Sequence, residues 1–151
     1  VKTIMLTVLI TLSSLVFGED MKAYALAIPQ LPVSEKSAQW SVEVTKADED
    51  DPHLMQAAKG SHHVYSLNVK NIGQDVNDAT IQLFRNEPHS KTKYGLLQTD
   101  EPCHLSKTGE ANFHIFNFGL SEEATDLNVT ITWVDTKSGQ QLQETFIFHQ
   151  K

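Results

Sequence analysis

The chain has 151 residues, 40% of them apolar, a formal charge of −7 and a single cysteine. That length suits one domain whose core needs no crosslinks. The acidic balance excludes nonspecific nucleic-acid binding, because no run of cations is present to neutralise phosphates, and one thiol excludes an internal disulfide.

The opening "VKTIMLTVLITLSSLVFGED" places Lys2 ahead of an apolar run, Ile4 to Phe17, broken only by Thr and Ser, which is the order of a secretory signal peptide. Roughly 14 apolar residues fall short of the ~20 that cross a bilayer, so no stable membrane span is expected after processing. Residues 1–27 are read as the signal peptide, cleaved after the Ala25-Leu26-Ala27 pattern, with Gly18 as the alternative exit. Residues 28–37 read as a linker, since Pro29 and Pro32 favour neither a helix nor a central strand. Residues 38–151 are left for the domain.

Within that domain apolar side chains recur at every second position, the period of a strand with one dry face. Trp40, Val42 and Val44 form the first set, Tyr65, Leu67 and Val69 the second, and Ile81 and Leu83 a third beyond the Asn71 to Asp78 loop. "YGLLQ" from Tyr94 is a weaker run. Phe113 and Ile115 continue the series, with Phe116 and Phe118 expected on the opposite face. In "DLNVTITWV", Leu127, Val129, Ile131 and Trp133 alternate with Asn128, Thr130 and Thr132, which suits a solvated outer surface. Gly139, available for a positive φ, leads into Phe146 and Phe148 and predicts a closing hairpin. Only "DPHLMQAAKG", from Asp51 to Gly60, offers helix signals, amounting to one or two turns. Six to seven short strands with turns between them predict an all-β chain, an antiparallel immunoglobulin-like β-sandwich.

The stretch "VYSLNVKNIGQDVNDATIQLF" resembles the paired strands of bacterial secreted immunoglobulin-like or fibronectin type III-like modules, in which an alternating strand ends in Asn-x-Gly and leads into another. The resemblance implies a fold and brings no functional residues with it.

Residues that could carry chemistry are scattered. Histidines stand at 53, 62, 63, 89, 104, 114 and 149 without the close repeated spacing of a zinc or copper site. Asp48, Glu49, Asp50 and Asp51 are calcium candidates in what otherwise reads as a solvated acidic loop. Cys103 with a histidine could pair nucleophile and base, but no catalytic motif accompanies them. Asn128-Val129-Thr130 matches the N-glycosylation pattern. The connections after Arg85 and Thr99 offer His89, Lys91, Lys93, Tyr94, Cys103 and His104 as a binding surface, because recognition on a rigid sandwich tends to sit in loops.

The expectation is a secreted, non-catalytic β-sandwich without a cofactor, binding an extracellular or envelope protein or component through loops or a sheet edge. Self-association would use that edge or Cys103. A secreted hydrolase or thiol enzyme and a calcium-dependent adhesion module are the alternatives.

Overall fold

The alternating segments form strands because a period of two lets each bury one row of side chains while its backbone pairs sideways. In a computed structural model of the chain, the described residues are 26–52, 54, 60–99, 103–105 and 112–151, with the backbone alone for 103–105 and 112. Among them run nine strands: β1 Val33–Lys36, β2 Trp40–Lys46, β3 His62–Asn71, β4 Val76–Asn86, β5 Lys93–Gln98, β6 Cys103–Leu105, β7 Asn112–Ser121, β8 Asp126–Val134 and β9 Gln141–His149. Every pairing is antiparallel. One sheet has the order β1-β2-β3-β7, and the other β5-β4-β8-β9 with β6 also on β4. Two antiparallel sheets and no helix among the described residues make the chain the all-β sandwich expected from its alternation.

The core is the inward rows of both sheets. Trp40, Val42, Val44, Leu67, Val69, Ile81, Leu83, Leu127, Val129 and Ile131 are fully buried, each contributing roughly 1.5–3 kcal/mol of transfer free energy for a side chain of valine size or larger. Trp40 from one sheet meets Trp133 from the other edge-on, with ring centroids 5.4 Å apart. Phe146 and Phe148 of the closing hairpin are buried as well, and Gly139 takes its positive φ of 67° in the turn.

Several expectations change. The strand count rises because β1 forms inside the segment read as a linker, pairing Val33 with Val44 through Lys36 with Ser41, and because β6 adds a short pairing to β4. A prolyl residue just before an edge strand removes no ladder donor, so Pro32 is compatible with β1. Residues 1–25 of the export segment, and most of the helix reading between Asp51 and Gly60, lie outside the described residues. Leu26 and Ala27 belong to the fold: Leu26 N donates to Glu122 O, and Ala27 and Lys151 exchange backbone hydrogen bonds of 3.3 and 2.9 Å. No helix among the described residues is long and apolar enough to cross a membrane.

The motif that carries the resemblance is part of the frame. Strands β3 and β4 do not pair; they lie in opposite sheets, and the residues between them make the crossing. Asn71, 1% exposed, donates from Nδ2 to Gln74 O and accepts at Oδ1 from Gly73 N and from Gln39 Nε2. A Cβ on Gly73 would stand 2.9 Å from Gln39 Cα, so only glycine lets these two turns close on each other.

A bulge resets β7. Tyr65 faces Phe118 and Leu67 faces Ile115, so Phe116 and Asn117 together oppose Ser66. Ile115 and Phe118 therefore share the inner face at an odd spacing, and Phe116 alone points out, 63% exposed. The expectation that Phe116 and Phe118 share a face fails for that reason. Asn117, at φ 52°, supplies the left-handed residue that asparagine adopts more readily than most.

Candidate functional site: the outer face of the four-stranded sheet

Register places one polar residue from each strand in line across this face: Ser34 opposite Glu43, Glu43 opposite Asn68, and Asn68 opposite His114. With strands about 4.8 Å apart, the row is about 14 Å long. Ser34 Oγ donates to Glu43 Oε1 at 3.4 Å, and Asn68 Nδ2 donates to Glu43 Oε2 at 3.5 Å. Asn68 Oδ1 then meets His114 Nδ1. The chemistry orients the Asn68 amide. A carboxylate only accepts, which turns the Asn68 amide nitrogen toward Glu43 and its oxygen toward His114. That oxygen also only accepts, so the proton of this contact sits on His114 Nδ1.

The next row holds Lys36, Ser41 and Lys70, and the two rows line a shallow depression of about 280 Å³. Neither lysine has an ion-pair partner among the described residues. Beyond His114, Phe116 stands against the imidazole with centroids 3.9 Å apart and planes at 65°. The bulge that exposes this ring is held from the side. Asn117 Oδ1 accepts from Asp48 N at 3.0 Å and from Ser66 Oγ at 3.3 Å, while its Nδ2 donates to Asp51 Oδ2 at 2.7 Å.

The residues singled out in the sequence fall elsewhere. Asp48 caps its own turn by accepting from Asp50 N, and Asp51 accepts from Asn117, so both carboxylates serve the loop that braces β7. Among the described residues no three His, Cys, Asp or Glu side chains gather as a metal cluster. His89, at φ 62°, and Lys91 sit exposed in the β4–β5 connection. Lys93 and Tyr94 are not in that loop but in β5. Lys93 Nζ donates to Asn128 Oδ1 at 2.9 Å, and the Arg85 guanidinium lies 4.6 Å from the Tyr94 ring centre. Cys103 and His104 are likewise in a strand, β6, and their side chains lie outside the described residues. Asn128 and Thr130 are 3% and 8% exposed, not solvated, so the glycosylation pattern falls on a covered amide.

A second polar cluster closes the end of the sandwich. The Tyr65 hydroxyl accepts from Ile28 N at 3.1 Å and donates to Gln150 Oε1, while Gln150 Nε2 donates to Ser121 O and Ala124 O. Burial, with the nearby Glu122 charge adding to it, pushes the Tyr65 phenol above its ordinary range against the pull of the Ile28 amide. These groups satisfy one another and tie both ends of the domain together, which is a structural task.

Sequence reasoning missed Ser34, Glu43, Asn68 and Phe116. Their outward parity was readable, but which outward residues share a row depends on register between strands far apart in the chain. One signal was present: apolar residues at 113, 115, 116 and 118 cannot all face one side of a regular strand, which requires either a bulge or an exposed aromatic.

Fold and face together define an all-β sandwich module with one open, hydrogen-bonding sheet surface. A family profile described as YozF-like secreted protein matches residues 24–151. The chain belongs to that family and is a secreted protein. It is 34% identical over 139 aligned residues to the uncharacterized protein YozF of Bacillus subtilis (strain 168), covering 84% of each chain. No solved structure gives a significant match.

Proposed function

We propose that the protein works outside the cell as a non-catalytic binding module for an extracellular or envelope component, and that it binds through the outer face of β1-β2-β3-β7. The observation that carries this reading is the hydrogen-bonded row Ser34–Glu43–Asn68–His114, half-buried from Glu43 to His114 and ending at exposed Phe116. Polar side chains held by one another on rigid strands are pre-organised for a ligand and lose little freedom on binding. The non-catalytic part is supported by the lining of the depression, which holds one carboxylate, Glu43, where glycoside hydrolysis needs two set about 5–9.5 Å apart.

The test is retention of purified protein on envelope material from the producing organism. Asn68→Ala and Phe116→Ala should each reduce retention, while the loop variant Lys91→Ala, distant from this face, should not. Retention lost only in Lys91→Ala would move the surface to the β4–β5 loop. No retention at all would defeat the binding role.

A further inference from the structure

We infer that the ligand of this face is an uncharged glycan chain, which rests on the binding role proposed above and names its substrate class. Three features converge on it. First, the face mixes donors and acceptors side by side. Lys36, Ser41 and Lys70 donate, while Glu43 accepts, and the long 3.4 and 3.5 Å bonds to Glu43 leave its oxygens capacity for more. A hydroxyl is the group that both gives and takes a hydrogen bond, so a ligand dense in hydroxyls can satisfy both kinds.

Second, the charges oppose any strongly charged polymer. Glu43 lies within the depression and repels a polyanion. Lys36 and Lys70 flank Glu43 and repel a polycation. Third, Phe116 is the one exposed large apolar side chain on this sheet among the described residues, since Tyr94, Leu97, Leu142 and Ile147 all belong to the other. One exposed ring is too little for the apolar centre of a protein interface. It is enough to stack on the C–H face of a single sugar ring. The row also places one polar side chain per strand at about 4.8 Å intervals, close to the advance of an extended glycan per sugar.

The experiment compares retention on untreated envelope material with retention on the same material stripped of protein by hot detergent and protease, at about 0.05 and 0.5 M salt, where screening of charge differs several-fold. A glycan ligand predicts that retention survives stripping and changes less than about twofold with salt. Phe116→Ala, with an unchanged melting temperature, should then weaken retention on stripped material about three- to tenfold, the worth of one aromatic stack. Retention on untreated material that disappears after stripping would identify a protein partner and overturn the glycan, leaving the binding role standing. Retention that survives stripping but falls more than about tenfold with salt would identify a charged polymer and also overturn it. Absence of retention on untreated material would remove the binding role and the glycan with it.

Discussion

The two outer faces of the sandwich differ in a way that their sequences do not announce. Asn68 on β3 and Asn128 on β8 both point away from the core, from central strands. Asn128 is closed over: Phe84 and Ile147 flank it on the neighbouring strands, and Lys93 reaches across from β5 to bond its amide. Asn68 is open, because its cross-strand neighbours are Glu43 and His114 and the β1 edge contributes only the short Ser34. An outward residue is solvated or buried according to the length and apolarity of the side chains beside it, which is a property of the neighbours. One face closes over its central asparagine, and the other leaves its own half-buried and within reach of water.

The largest effect should come from the bulge on the open face. Asn117→Ala puts a Cβ-bearing residue without a side-chain amide at φ 52° and removes bonds to Asp48, Asp51 and Ser66, so urea unfolding should show a loss of about 2–4 kcal/mol. Next is Asn128→Ala, which removes a covered side chain from between Phe84 and Ile147 together with its bond from Lys93; a loss of about 1–2 kcal/mol is expected in the same measurement.

The seam between the faces should respond to alkali. The Tyr65 phenol is raised in the fold, so as pH rises past about 10 the unfolded chain releases this proton before the folded one does. Stability is intact below that pH and falls above it. Tyr65→Phe should flatten this alkaline limb in a series of melts taken between neutral pH and pH 11. The smallest change should be Asn68→Ala, within about 0.5 kcal/mol of wild type, because its partners remain accessible to water. Equal stability losses at Asn68 and Asn128 would erase the distinction between the two faces.

Much of the frame was legible from residues alone. Leu127, Val129, Ile131 and Trp133 alternate without a fault, and they form the best buried strand. Asn71 and Gly73 announce a turn, and the turn is there, though it joins strands of opposite sheets. The candidate site was not legible in the same way. Loops drew attention through Lys91, Lys93 and Tyr94, whereas the open face is assembled from single outward residues of four strands. Segment 33–36 looked like a linker because four residues are too few to show a period, and pairing with β2 is what makes it a strand.

By itself the sequence determined the all-β class and the inward rows of the regular strands, since both depend on residues a few positions apart. Tertiary structure decided the rest: which strands lie side by side, where β7 gains an extra residue, and which polar groups stand in one row. The reason is physical. Alternation is a local consequence of the extended backbone, but the register between Glu43, Asn68 and His114 is fixed only when distant strands pair so that both inner faces close over the core.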